Sequence, residues 1–184
     1  MLDENLLPFA VPDSVMQRAA KIKLVLFDVD GVLTDGSLFF GDDGQEYKAF
    51  NSRDGLGMRM LQDTGVEIGI ITGRTSRVVE HRARNLGITH VFQGRLEKLT
   101  TYNELTNKLG LAPDVVAFCG DDVVDLPIML KVGLAVAPND AHYLAKRHAH
   151  WVTPSDGGRG AGRDVCELLM VAHGTYERQF GKFL

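Results

Sequence analysis

The stretch that most constrains the fold of this chain is KLVLFDVDGVLTDG, which runs from Lys23 to Gly36. Its opening residues are apolar and partly β-branched, a pattern typical of a strand buried on both faces of a parallel sheet. The apolar run ends abruptly at Asp28 and Asp30. Ligands of open α/β sheets bind in the crevice beyond the carboxyl ends of the strands. The stretch therefore predicts an α/β protein whose first strand brings two carboxylates to a site.

These two carboxylates are separated by a single residue. If the extended backbone continues through them, both side chains point the same way. Like charges at this spacing are costly unless a positive group lies between them, and a hard cation with oxygen ligands meets that need. Asp-x-Asp pairs also occur in turns and helix caps, so the pair alone does not separate a metal site from a turn.

Length and composition indicate one soluble domain with a substantial core. The chain has 184 residues, of which 45% are hydrophobic and 24% charged, as in ordinary globular proteins. A net charge of −4 and a pI near 5.8 argue against nucleic acid or an anionic membrane as a partner. We expect a cytoplasmic protein, because the sequence shows no secretory signal and its two cysteines have no disulfide spacing.

Strand-like apolar runs alternate along the chain with segments whose apolar residues recur at helical spacing. This alternation predicts a doubly wound parallel sheet flanked by helices, in one domain over residues 21–175. Residues 1–20 are expected to form an arm with a short helix from 13 to 20, and residues 176–184 a tail. The predicted strands cover 23–27, 67–71, 90–92, 115–119, 133–136 and 151–152. The predicted helices cover 53–64, 75–86, 96–109, 126–131, 141–147 and 164–172.

A β-hairpin is predicted between the first strand and the next helix, over residues 37–50. Two short β-prone runs flank GDDG at 41–44, and Asp and Gly tolerate the backbone angles of such turns. The hairpin is too short to form a substrate-binding domain. It carries more aromatic side chains than a solvated flap should, so we expect another surface to cover it. These aromatic residues are Phe39, Phe40, Tyr47 and Phe50.

Polar residues of complementary chemistry follow several of the strands. The first strand supplies Asp28 and Asp30, the second is followed by Thr72, and the fourth runs into GDDVVD at 120–125. Lys98 lies in the first turn of its helix, where a cation is unfavourable unless an anion compensates it. Carboxylates for a hard cation, with a hydroxyl and a lysine for an anion, describe a magnesium-assisted phosphoryl-transfer site.

Four segments resemble, in order, the four motifs of the haloacid dehalogenase superfamily. They are DVDGVLTDG at 28–36, ITGR at 71–74, Lys98, and GDDVVD at 120–125. Within the superfamily the chain is similar to capless phosphatases of sugar-acid phosphates, through NSRDG at 51–55, GITH at 87–90 and GGRGA at 157–161. The resemblance covers nearly the whole chain. It implies a Rossmann-like doubly wound sheet with a small β-hairpin flap and no cap domain.

The resemblance also implies roles for the motif residues. Asp28 is the expected nucleophile, which forms an aspartyl-phosphate, and Asp30 is the expected general acid and base. Mg2+ is expected to bind Asp28, the backbone carbonyl of Asp30, and Asp121. Thr72 and Lys98 are expected to bind the phosphoryl oxygens.

Further residues around these motifs are expected to support the site or to face the substrate. Asp125 is expected to orient Lys98 or the metal ligands. The arginines suit a sugar carboxylate, because a guanidinium grips one with two hydrogen bonds. Arg59 and Arg82 fit a solvated helix face equally well. The expected substrate-binding residues are Asp30, Asn51, Ser52, Arg53, Asp54, Gly55, Arg59, Arg74, Arg82, Lys98 and Asp122.

The substrate and the assembly follow from the same resemblance. The leading expectation is an eight-carbon 3-deoxy sugar acid with a terminal phosphate, and a nine-carbon sialic-type acid 9-phosphate is the nearest alternative. A non-catalytic oligomerisation or regulatory module is disfavoured by the joint presence of the acidic, hydroxyl and lysine motif residues. The resemblance implies a homotetramer in which hairpins associate and neighbours close each open site. The glycine-rich stretch 157–162 is interpreted as a helix-entry turn, with a role in a neighbouring subunit's site as the alternative.

Overall fold

The computed structural model describes residues 6–184, and the first five residues of the arm predicted over 1–20 lie outside the described residues. Six strands form one parallel sheet in the order β5-β4-β1-β6-β7-β8, and β2 pairs antiparallel with β3 in a separate hairpin. The strands are β1 (Leu24–Phe27), β2 (Phe39–Phe40), β3 (Glu46–Tyr47), β4 (Glu67–Ile71), β5 (His90–Phe92), β6 (Val116–Cys119), β7 (Leu134–Ala137) and β8 (Trp151–Val152). This topology confirms the predicted doubly wound fold.

Helices cover both faces of the sheet. They are α1 (Asp13–Ala19), α2 (Ser52–Gln62), α3 (Arg77–Leu86), α4 (Lys98–Leu109), α5 (Leu126–Met129), α6 (Tyr143–His148), α7 (Ala161–Ala172) and α8 (Tyr176–Phe180). Side chains of α1, α2, α3 and α7 share one apolar cluster, and those of α4, α5 and α6 share another. None of the helices in residues 6–184 has the length and apolar character to cross a bilayer.

The central strand β1 shows why the sheet is buried on both sides. Its four residues are fully buried, with Val25 and Phe27 in one cluster and Leu24 and Leu26 in the other. Successive side chains of a strand point to opposite faces, so one apolar run supplies both cores. The strand pairs with β4 on one side and β6 on the other. The chain segments that follow these three strands therefore meet at one edge of the sheet.

Several element boundaries differ from the predictions by one to three residues, and the C-terminal part of the chain differs most. Helix α7 begins at Ala161, three residues before the predicted start, because Gly160 with φ 130° provides the turn into it. The tail forms a short helix over Tyr176–Phe180, whose two terminal aromatic rings stack at 4.1 Å. These aromatics pack partly against the core, a long-range contact that the local pattern does not reveal.

The hairpin flap is present, and most of its aromatic surface is exposed. The relative exposures are 53% for Phe39, 57% for Phe40 and 54% for Tyr47. Phe50, also predicted to be exposed, instead packs partly buried against the core. The turn is closed by a 2.8 Å hydrogen bond from the Gly41 amide to the Gln45 carbonyl. An apolar patch of this kind is typical of an interaction surface.

Candidate active site

A cavity of about 200 Å³ lies at the sheet edge where β1, β4 and β6 end. Its position matches the switch point at which α/β proteins bind ligands. The lining residues are Asp28, Asp30, Thr72, Gly73, Arg74, Leu96, Lys98, Asp121, Asp122 and Val124. The structure therefore brings together all four predicted motifs, although they lie far apart along the chain.

Asp28 immediately follows β1 and is only 6% exposed. Its Oδ2 lies 2.8 Å from the Lys98 Nζ, and its buried Oδ1 has no hydrogen-bond partner among residues 6–184. A buried carboxylate oxygen without a partner is costly, so such an atom indicates a ligand that this site binds.

Lys98 is the first residue of α4 and is 3% exposed. A cation at a helix N-terminus is unfavourable, and two carboxylates compensate it, since its Nζ also contacts the Asp125 Oδ1 at 2.7 Å. Burial acts to lower the pKa of Lys98, but the charges of Asp28 and Asp125 outweigh burial and raise that pKa. The ammonium therefore stays charged at the edge of the cavity.

Asp125 is fully buried and shares its two oxygens among three donors. Its Oδ1 accepts the Lys98 bond, and its Oδ2 accepts from the backbone amides of Asp121 at 3.0 Å and Asp122 at 3.3 Å. It thus fixes the lysine and the loop that carries Asp121 at the same time. Asp125 therefore lies where it contacts Lys98 directly, and its supporting role stays a prediction.

The carboxylates of the cavity are crowded beyond what one lysine neutralises. One oxygen from each of Asp28, Asp121 and Asp125 lies within 4.8 Å of the others. Burial, together with the charge of Asp125, raises the pKa of Asp28 to about 6. Burial and the charges of Asp28 and Asp125 raise the pKa of Asp121 to about 8. Uncompensated carboxylates and a partnerless oxygen fit a hard divalent cation such as Mg2+.

Gly31 allows the Asp121 carboxylate to approach the loop after β1. Its φ is +87°, and a Cβ at this position would lie 2.1 Å from the Asp121 Oδ2. The glycine-rich stretch packs on the same loop, since the Gly158 amide donates to the Val32 carbonyl at 2.9 Å. A Cβ on Gly157 would lie 2.0 Å from the Gly31 carbonyl oxygen. The stretch thus braces its own chain's site while leading into α7.

Comparison with known proteins agrees with this geometry. A 3-deoxy-D-manno-octulosonate 8-phosphate phosphatase from Yersinia pestis is 49% identical over 171 residues, which cover 93% of this chain and 91% of the relative. The corresponding protein of Escherichia coli K12 is 48% identical over 172 residues, covering 94% of this chain and 92% of the relative. The chain belongs to this phosphatase family. The haloacid dehalogenase-like hydrolase family also matches residues 87–161.

Solved structures of the family share the fold closely. The crystal structure of the Yersinia pestis phosphatase has a TM-score of 0.90 at 50% identity, covering 91% of this chain and 90% of that chain. The Moraxella catarrhalis phosphatase, in complex with a magnesium ion, a phosphate ion and a KDO molecule, has a TM-score of 0.93 at 37% identity. The match covers 95% of this chain and 100% of that chain.

Lys48 was not among the residues predicted to form the site. The Lys48 side chain is 1% exposed and contacts the Asp30 Oδ1, while the Arg74 Nε lies 3.9 Å from the Asp30 Oδ2. Lys48 and Asp30 are 18 residues apart. The only sequence signal was the position of Lys48 directly after the second hairpin strand, because no local pattern shows how a flap folds over a site.

Several predicted substrate-binding residues of this phosphatase do not line the catalytic cavity of their own chain. Asn51, Asp54, Gly55 and Arg82 line a second cavity with mostly apolar walls. Asp54 is 3% exposed, and its Oδ1 accepts the Arg163 amide at 2.9 Å. The Arg82 guanidinium donates to the Asn51 carbonyl at 3.0 Å. These contacts place Asn51, Asp54 and Arg82 where α2 packs against α3 and α7, and their substrate-binding roles stay a prediction.

The remaining predicted substrate contacts lie on the outside of α2. Ser52 is exposed at its first position. Arg53 donates to the Arg159 carbonyl at 2.8 Å, and Arg59 donates to the Asn85 carbonyl. Of the predicted substrate-binding set, the residues that line the catalytic cavity are Asp30, Arg74, Lys98 and Asp122.

Proposed function

We propose that this chain is a Mg2+-dependent phosphatase that hydrolyses 3-deoxy-D-manno-octulosonate 8-phosphate to the free sugar acid and phosphate. The observation that carries the proposal is the buried Asp28 carboxylate, held by Lys98 and left with one oxygen unpartnered, within the described residues, in a cavity lined by Asp30 and Thr72. The family membership supplies the substrate class. Generic phosphate-ester hydrolysis that survives removal of the metal by EDTA would contradict the metal requirement.

In the proposed mechanism, Asp28 attacks phosphorus. A bond forms between its carboxylate and the phosphoryl group, the bond to the sugar oxygen breaks, and Asp30 gives that oxygen a proton. Asp30 then takes a proton from water, which attacks the aspartyl-phosphate and releases phosphate with the Asp28 carboxylate restored. Lys98 limits the orientations of the Asp28 carboxylate, so less conformational freedom is lost on reaching the transition state.

The other residues at the cavity are proposed to bind the phosphoryl oxygens and the metal ion. Thr72 is 2% exposed, and its amide donates to the Phe92 carbonyl at 2.9 Å, which fixes the residue at the end of β4. Its hydroxyl and the Lys98 ammonium are the proposed donors to the transferred group. Asp28, Asp121 and the backbone carbonyl of Asp30 would hold Mg2+, whose charge, when bound, offsets that of the phosphoryl oxygens.

Arg74 is the proposed determinant of substrate choice, because its guanidinium lines the cavity and remains 44% exposed. A guanidinium favours a sugar carboxylate over a neutral sugar. We expect Arg74→Ala to lower kcat/KM for the eight-carbon acid phosphate by about 10–100-fold and that for glucose 6-phosphate by a smaller factor, since Arg74 also lies 3.9 Å from Asp30. Steady-state kinetics on both substrates measures this preference, with Arg84→Ala, on the exposed face of α3, as the matched control.

Two outcomes of the same assay contradict the substrate assignment. Equal efficiency on glucose 6-phosphate would show that no carboxylate is recognised. A higher kcat/KM on a nine-carbon acid 9-phosphate would favour the sialic-type alternative, while leaving the phosphatase mechanism standing.

We also propose that the protein is a homotetramer in which the hairpins associate. The support is the exposed patch of the flap, formed by Leu38, Phe39, Phe40 and Tyr47. In such an assembly, neighbouring subunits would close the open cavity. The Asn51–Gly55 segment, Arg59 and Arg82 could then contact the substrate only after a rearrangement of their own chain or in the cavity of another subunit. We expect sedimentation at micromolar concentration to show a tetramer, and a fully active monomer would refute this.

We also propose that the protein is located in the cytoplasm. Cys119 and Cys166 are both buried and free, as suits a reducing compartment.

A further inference from the structure

Lys48 is buried in a way that needs explanation. Its side chain is 1% exposed, although lysine is almost never fully buried unless it is paired. Its Nζ bonds the Asp30 Oδ1 and lies 3.3 Å from the Glu46 Oε1. Glu46 belongs to β3, so the hairpin carries both the lysine and one of its two acidic partners. The other partner is the proposed general acid and base.

The contacts of Lys48 form part of a closed ring of four alternating charges. Arg74 lies 3.1 Å from the Glu46 Oε1 and 3.9 Å from the Asp30 Oδ2. Each member of the ring, namely Asp30, Lys48, Glu46 and Arg74, therefore faces two groups of opposite charge. Such pairing offsets the desolvation cost of the buried ammonium. The ring ties the flap to the carboxylate that would exchange protons with the substrate.

The two carboxylate oxygens of Asp30 have different neighbours in the ring. Lys48 bonds Oδ1, whereas the charged group that faces Oδ2 among residues 6–184 is the more distant Arg74, and Asp30 lines the cavity. A carboxylate that is anchored through one oxygen has fewer side-chain orientations. Its second oxygen therefore already has a fixed direction before the substrate binds. Preorganisation of this kind contributes to proton transfer, because that step requires hydrogen-bond reach and alignment.

We propose that Lys48 is a positioning residue, which holds Asp30 in the orientation that transfers a proton to and from the substrate oxygen. This inference rests on the proposed phosphatase function. In the first half-reaction, the electron pair of the broken P–O bond goes to the sugar oxygen, and the Asp30 proton goes to that same oxygen. An alkoxide is a poor leaving group, so loss of the positioned proton slows this step strongly. A nitrophenolate leaves without a proton.

The test compares Lys48→Met with wild type on an alkyl ester and an aryl ester through kcat/KM, which reports the first half-reaction. With Mg2+ present, we expect kcat/KM for the sugar-acid phosphate to fall about 100-fold, and that for p-nitrophenyl phosphate to change less than about threefold. Lys182→Met is the matched control, because Lys182 forms an exposed ion pair with Asp63 at 3.1 Å. It should leave both values unchanged.

An equal loss on both esters, or no loss on either, would overturn the proposal, since a lysine that only anchors the hairpin does not distinguish leaving groups. Glu46→Gln provides the second variant, and decides the matter if Lys48→Met does not fold. It keeps Lys48 but removes one charge from the ring, so a smaller loss, again greater on the alkyl ester than on the aryl ester, is expected. Absence of that difference would also overturn the proposal.

A failure of the proposed substrate gives a different result. Wild-type enzyme that hydrolyses p-nitrophenyl phosphate and glucose 6-phosphate, but not the sugar-acid phosphate, would refute the substrate assignment alone. Glucose 6-phosphate is also an alkyl ester whose leaving oxygen needs a proton. Comparison of this ester with the aryl ester would then decide the role of Lys48.

Discussion

Asp28→Asn is expected to abolish turnover, with kcat falling by about four to six orders of magnitude, the range seen when a catalytic nucleophile is removed. An amide is a poor nucleophile, and one proposed metal ligand loses its charge. Intact-protein mass spectrometry during turnover is expected to detect a phosphoryl adduct on wild type and none on the variant. Wild-type activity in the variant, after peptide mass analysis has verified the substitution, would refute the mechanism.

The fold of this variant should survive, which separates a chemical effect from unfolding. Burial and the charge of Asp125 raise the pKa of Asp28 to about 6, so the ionised carboxylate is less stable in the folded protein without metal than in the unfolded chain. Removing that charge relieves the crowding with Asp121 and Asp125. We expect the melting temperature without added metal to be no lower than that of wild type. A marked fall in melting temperature would instead indicate misfolding.

Asp125→Asn is expected to lower both stability and activity. Asparagine has one acceptor oxygen, but Asp125 accepts from the Lys98 ammonium through one oxygen and from two backbone amides through the other. The amide nitrogen must therefore face a donor. Leaving a buried charge poorly paired costs about 3 kcal/mol, which lowers the melting temperature of a domain this size by about 6–12 °C. We expect kcat/KM to fall about 100-fold, because Lys98 loses its orientation.

Asp63→Asn is the control for this prediction. It removes the acid from the exposed Lys182–Asp63 ion pair, whose side chains are 50% and 61% exposed. Exposed pairs contribute about 0–1 kcal/mol, so stability and kinetics should stay close to those of wild type. Calorimetry and steady-state assays check both variants. An Asp125→Asn protein as stable and active as this control would show that Asp125 does not organise the site.

The strands and the catalytic motifs could be predicted because their signals are local. A short apolar run followed by Asp28 and Asp30 predicts a buried strand and its polar end, and helical spacing predicts the segments between strands. The order β5-β4-β1-β6 then follows the general rule for doubly wound sheets. Convergence of Thr72, Lys98 and Asp121 on one cavity was expected for the same reason, and the structure places them there.

The predicted substrate-binding residues show what a local sequence pattern does not reveal. Asp54 lies in a motif typical of the family, yet its carboxylate accepts a backbone amide from Arg163, 109 residues away. One oxygen of the acidic side chain is thereby used where α2 packs against α7, whereas the other, Oδ2, is buried without a hydrogen-bond partner among residues 6–184. A sequence motif identifies a residue as important without saying whether it holds the fold or the ligand. The substrate-binding role of Asp54 stays a prediction.

Local sequence was enough to predict the sheet, the flap, the acidic motifs and the placement of a lysine at a helix start, since each depends on neighbours a few residues apart. Tertiary structure decided which charges meet at the flap: Lys48 with Asp30 across 18 residues, and Arg74 with Glu46 across 28. Burial decides the strength of these pairs, because a charge removed from water is stable only beside an opposite one. That requirement joins the hairpin to the site, and it becomes visible only when the chain has folded.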